Sequence, residues 1–221
     1  MRVVIAGGHG KIALILEKLL SERGRSVAGF IRNPAQAVDL AEAGAEALVV
    51  DLEKTTAKDV AKHLRGADAV VFAAGAGPGS GAARKESVDR DAAVLLAHAA
   101  EAAGVGRYLL VSAMGDHLRA DPSTFDEEFG IYMRAKAAAE DAIRARTALR
   151  TTIIRPGLLN NEPGTGRVDL AERTGTGPIP RADVAAVLLA LLDEPRLDGR
   201  TVEVIGGGTP VPDAVAALAS H

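Results

Sequence analysis

The chain has no cysteine and very few aromatic residues, which make up 3% of its 221 positions. The first absence excludes a disulfide scaffold and any zinc site that needs thiolates. The second means that Ala, Val, Leu and Ile must build the core, since hydrophobic residues still reach 48%. A charge surplus is also missing. With 26 basic and 29 acidic residues the net charge is −3, which gives no footprint for nucleic acid or an acidic membrane. So many aliphatics at so low a charge exclude a disordered chain. No apolar run approaches the roughly 18–20 residues of a membrane span, and strand-like residues begin at Arg2 without the basic start and apolar stretch of a secretory signal. The five histidines are scattered. Neither His9 nor His117 has a second His or a paired acid at ligand spacing, so no metal is expected. These absences together lead us to expect a soluble cytoplasmic protein without nucleic-acid or membrane partners, a monomer or a homodimer.

What the chain has in excess is glycine, 24 residues of it, set within an alternation of strand and helix patterns. Short aliphatic runs predict strands at 2–6, 27–31, 47–52, 69–74, 108–111, 151–154 and 201–205. Helical spacing, first-turn prolines and terminal glycines predict helices between them, among them 34–44, 86–103, 132–146, 182–192 and 212–219. The alternation implies parallel strands joined by right-handed crossovers. The expected fold is therefore a single α/β domain over 1–221, a Rossmann-like doubly wound sheet of about seven strands with helices on both faces. The stretch 157–180 reads as a substrate-side loop region with one short strand at 166–170, and 160–167 as a lid. The Ala-rich helices could pair between subunits or lie on the surface.

Gly7, Gly8, His9, Gly10, Lys11 and Ile12, followed by Ala13, join the first strand to the first helix. They fit G-x-G-x-x-G/A, in which a turn too tight for side chains brings backbone and a helix N-terminus to a pyrophosphate. At the end of the second strand, where NAD binders carry an acid, stand Arg32 and Asn33. A guanidinium there suits a 2′-phosphate, so NADP(H) is expected over NAD(H); a solvated arginine is the alternative. Asp51 and Leu52 follow the third strand, Asp51 either facing the adenine or serving a turn. Ala73, Ala74 and Gly75 would let backbone pass along a ribose.

Together with VDRD at 88–91, LLVSAMG at 109–115, YMRAK at 132–136 and IIRPGLLNNEPGTGRV at 153–168, these motifs resemble the atypical short-chain dehydrogenase/reductase family, in its NAD(P)H-binding, epimerase/dehydratase-like branch. The resemblance implies an active site of Ser112, Tyr132 and Lys136, with Asp89 where better-known branches have asparagine. It also implies that Lys136 holds the nicotinamide ribose and that Tyr132 is the acid/base of a hydride transfer to a small carbonyl or hydroxyl substrate. The residues agree. Tyr132 and Lys136 are four apart on one helix face, and a neighbouring ammonium favours phenolate. Ser112 can hydrogen-bond a carbonyl, and Pro156 could pack on the nicotinamide or only direct the chain. Arg181 and Asp183 would cap and pair at a helix start, and His117 is a further acid or a solvated loop residue. Two other readings stand beside the oxidoreductase: a flavin- or biliverdin-reductase-like enzyme that does not need Tyr132, and a non-catalytic NADP(H) sensor.

Overall fold

The computed structural model describes residues 1–77, 79–115 and 127–220. Its strands are β1 (Arg2–Ala6), β2 (Ser26–Ile31), β3 (Glu46–Val49), β4 (Ala69–Phe72), β5 (Arg107–Val111), β6 (Arg150–Pro156), β7 (Leu158–Asn160), β8 (Arg167–Ala171), β9 (Pro178–Pro180), β10 (Thr201–Gly206) and β11 (Thr209–Pro210). The α-helices longer than three residues are α1 (Lys11–Glu22), α2 (Ala37–Glu42), α3 (Ala57–Leu64), α4 (Ala93–Ala103), α5 (Glu127–Arg144), α6 (Arg181–Asp193) and α7 (Val211–Leu218). A π-helical segment, Lys85–Ala92, runs directly into α4.

Nine strands form one sheet in the order β3-β2-β1-β4-β5-β6-β10-β8-β11. The pairings from β3 through β10 are parallel, and β8 and β11 add an antiparallel edge. The chain leaves β1 toward β2 on one side and returns on the other at β4. That reversal opens a crevice beyond the carboxyl ends of β1 and β4, where ligands of such sheets sit.

Alternation along β1 shows how the sheet serves two cores. Val3 and Ile5 face α1 and α6, while Val4 and Ala6 face α3 and α4, as a period of two requires. Small side chains allow close layers. Ala93, Ala97, Ala99 and Ala100 of α4 are all buried, so these alanines are used inside the chain, as are Ala135 and Ala139 of α5. The fully buried Tyr108 gives its hydroxyl proton to Ala93 O at 2.9 Å, fastening the start of α4 to the sheet.

Three expectations need correction. The sheet is wider than seven strands, and 157–180 holds more than the one strand expected at 166–170, which is β8 beside β10: it also holds β7 and β9, which pair with each other. Prolines and glycines in and around β7 and β9 hid those two strands. The helix expected from 86 is π-helical over its first part, which aliphatic spacing does not reveal. Among the described residues, no helix is long and apolar enough to cross a membrane.

Candidate active site

The glycine loop turns at Gly7, whose φ of +80° suits glycine. A Cβ there would stand 2.6 Å from Ala74 Cα, so the loop lies directly on the end of β4. Gly8 N–H donates to Phe30 O (2.9 Å) and Gly10 N–H to Gly7 O (2.7 Å). Gly10 caps α1 without a side chain, and no acid stands in the first turn. The leading amides of α1 thus keep their donors and positive dipole end for an anion.

Two pockets meet at this loop, sharing Gly10, Ala73, Ala74 and Gly75. The first is lined by Gly7, His9, Arg32, Asp51, Leu52 and Glu53 among others. The second includes Lys11, Ile12, Asp89, Ser112, Tyr132 and Lys136, with a cavity volume of about 610 Å³. The shared residues make one continuous cleft across the crevice. Of the expected cofactor residues, Gly8, Asn33 and Pro156 do not line it. Gly8 is buried behind the loop. Asn33 Oδ1 accepts Ala35 N–H (3.0 Å) as a local cap. Pro156 is buried, and its carbonyl accepts Met114 N–H (3.1 Å).

The first pocket carries a polar rim. His9 lies between Gln36 (2.9 Å) and Asp39 (2.5 Å), which pins the glycine loop to the chain after β2. Arg32 is 57% exposed at its side chain and makes only a 3.4 Å contact with Glu53. Glu53 also accepts from Arg84 (2.9 Å) and Ser87 (2.7 Å). Partial burial pushes the Glu53 carboxyl up, but those two donors outweigh it and hold it below the usual range. Asp51 serves a turn, accepting Glu53 N–H at 3.1 Å, while still lining the pocket.

The second pocket holds the side chains expected to react. Lys136 donates to Val111 O (3.2 Å) and pairs with Asp89 Oδ1 (3.2 Å). Asp89 is fully buried, and its other oxygen accepts Ala76 N–H (3.2 Å). Tyr132 lies beside them with its ring centroid 5.8 Å from Lys136 Nζ. Burial raises the Tyr132 hydroxyl above its usual pKa; Lys136 pulls it down and Asp89 pushes it up. The phenol therefore stays protonated at neutral pH. Ser112 gives its hydroxyl proton to Glu140 Oε1, the carboxylate that Arg155 grips from Nε (3.1 Å) and Nη2 (2.7 Å). The fully buried Glu140 is one turn beyond Lys136 on α5, so Tyr132, Lys136 and Glu140 share one face.

Reasoning from sequence missed Glu140, Glu53, Arg84 and Lys85, and took Arg155 only as a strand end. The spacing 132, 136, 140 was a usable signal for Glu140. Asp183 does not cap its own helix. It accepts from Thr165 N (3.0 Å), Thr165 Oγ1 (3.0 Å) and Gly166 N (2.8 Å), anchoring the loop before β8. Asn161 Oδ1 receives both Lys11 Nζ (3.2 Å) and Arg181 Nη1 (2.9 Å). His117 lies outside the described residues.

Known proteins share this architecture. The profile of a family described as NAD(P)H-binding matches residues 7–195. The chain is similar to the uncharacterized sugar epimerase YhfK of Bacillus subtilis, 36% identical over 219 residues that cover 99% of this chain and 100% of that protein. It is similar to a Bacillus halodurans structure provisionally described as an NAD-dependent epimerase/dehydratase, with TM-score 0.89, 35% identity and 99% and 100% coverage. It also resembles the anaerobillin reductase ChuY of Escherichia coli, with TM-score 0.78, 26% identity and 93% and 97% coverage.

Proposed function

The chain belongs to the NAD(P)H-binding family, and on that premise we propose that it is an NADP(H)-dependent reductase of small carbonyl compounds, with Tyr132 as proton donor. The observation that carries this reading is the Asp89–Lys136 pair beside a half-buried, protonated Tyr132. With its ammonium balanced by a carboxylate, Lys136 does little to make a phenolate. A site so arranged gives a proton more readily than it takes one, which suits reduction of a carbonyl over oxidation of an alcohol.

The cleft fits a dinucleotide. Gly7 lies against Ala74 with no room for a side chain, and the uncapped start of α1 offers amides to a pyrophosphate. Once bound, the nicotinamide supplies the hydride. Arg32, loosely held by Glu53 and facing no acid on its own strand end, turns its fork to a 2′-phosphate. Lys136 gives one proton to Val111 O and keeps donors for ribose hydroxyls beside its ion pair with Asp89. Tyr132 gives its proton to the substrate oxygen as negative charge develops there. Ser112 orients that oxygen only after releasing Glu140, because its single proton is committed.

That commitment favours a second reading, in which an apolar planar ring is reduced without help from Ser112 or Tyr132, as the likeness to an anaerobillin reductase suggests. An NADPH-oxidation screen over small aldehydes, ketones, quinones and flavins tests both. Turnover of a carbonyl that is lost in Tyr132→Phe supports the first, and turnover of a planar ring that survives the substitution supports the second. Tight NADPH binding with no turnover of any acceptor leaves a cofactor-sensing protein.

A further inference from the structure

We propose that Lys85 is an anion-binding residue in the second pocket, and that the substrate is a small carbonyl compound carrying a carboxylate. This rests on the reductase reading only for the carbonyl; the anion subsite stands on its own geometry.

Lys85 is 6% exposed, yet it lies on no apolar core surface of its own. Its ammonium lines the pocket, donates to Gly77 O at 2.6 Å, and stands 5.4 Å above the Tyr132 ring centroid. Among the described residues its sole carboxylate neighbour is Glu128, at 3.8 Å. That separation is too long for a hydrogen bond. A buried ammonium with one backbone acceptor and a loose counter-ion keeps donors to spare in a low-dielectric place, where an additional oxyanion would be held strongly.

The remaining charges of the pocket are already assigned. Lys136 is balanced by Asp89 at 3.2 Å. Lys11 and Arg181 converge on the neutral Asn161 amide, at the glycine-loop end where a pyrophosphate belongs. Lys85 stands instead beside Tyr132, near Gly77 and Glu128. An acid bound there would place its carboxylate on Lys85 and its carbonyl toward the phenol.

Glu128 is the stand-in for that carboxylate. It sits in the first turn of α5, where the helix dipole favours an anion. Its side chain is 47% exposed, so it can turn to solvent when a better-placed oxyanion arrives. It therefore acts as a competitor that sets the affinity for acids without reaching the reacting carbon.

The test is calorimetric titration of the NADPH complex with oxamate, an unreactive acid, and with its neutral methyl ester. The expected result is a clear preference for oxamate in the parent protein. Lys85→Gln weakens oxamate by about 10- to 100-fold, as for loss of a charged hydrogen bond, and leaves the ester and NADPH unchanged. Lys85→Arg restores most of the loss, and Glu128→Gln tightens oxamate several-fold. Tyr132→Phe keeps the preference for the acid even if it abolishes turnover, which separates failure of this proposal from failure of the reductase reading. Equal binding of acid and ester, no binding of oxamate, or unchanged oxamate affinity in Lys85→Gln would overturn it. Should Lys85→Gln not fold, unchanged or weaker oxamate binding to Glu128→Gln does the same.

Discussion

Asp89 and Lys136 form a buried ion pair at 3.2 Å, with Asp89 fully buried and Lys136 3% exposed, directly beside the phenol of Tyr132. Where an asparagine would leave the ammonium free to stabilise a phenolate, the carboxylate offsets part of its pull. Asp89→Asn is therefore expected to lower the Tyr132 pKa, since it removes a charge that raises it and keeps one that lowers it. Ultraviolet titration of tyrosinate reads this directly, with Tyr132→Phe as the blank. The same substitution should cost roughly 3 kcal/mol of stability by leaving a buried cation unpaired. An unmoved tyrosine titration would mean that Asp89 does not govern the phenol.

If Tyr132 gives the proton, Tyr132→Phe should lower the rate of carbonyl reduction by about 10²–10⁴. NADPH affinity should change little, because the proposed cofactor contacts fall on the glycine loop, Arg32 and Lys136. Stopped-flow NADPH oxidation with a separate binding titration divides the two effects.

NADPH should bind more tightly than NADH. Arg32→Ala should remove about 1.5–3 kcal/mol of that preference, the range for a charged hydrogen bond. Glu53→Gln should act in the opposite sense, because Glu53 holds both Arg32 and Arg84 at the pocket rim. Equal affinities for the two cofactors in the parent protein would remove Arg32 from this role.

Glu17 yields a prediction about stability. It is fully buried on α1, neither oxygen has a hydrogen-bond partner among the described residues, and burial raises its pKa from 4.5 to about 8. Between those pH values the unfolded chain has lost the proton that the folded chain keeps. Stability therefore falls as pH rises through this window and levels off above it. The ceiling on the effect is about 5 kcal/mol at 1.36 kcal/mol per unit. Glu17→Met should stabilise the protein more at pH 8 than at pH 5 in urea unfolding. An equal gain at both would show that the carboxyl is not held neutral.

The glycine loop, the strand ends and the Tyr132–Lys136 pair were legible in the sequence because each depends on local spacing: a tight turn, an aliphatic run, a single helical turn. The strands β7 and β9 were not, since their pairing joins positions about twenty residues apart through Pro and Gly. Glu140 and Arg155 were hard to read for a related reason. A charged residue on a helix reads as solvated until a distant strand supplies its partner, here Arg155 at 2.7 Å. Lys85 was concealed by the π-helical turns, which carry no aliphatic period of their own.

Those wide turns make the pocket sensitive to residue count as well as residue type. A π-helix closes its hydrogen bonds over five residues where an α-helix uses four. Shortening Lys85–Ala92 by one residue would let the segment relax to an α-helix, with α4 still fastened through Ala93 and Tyr108. The offset between Lys85 and Asp89 along the pocket wall is thus set by helix type as well as by sequence, and a single-residue deletion would alter it while every charged side chain remained in the chain.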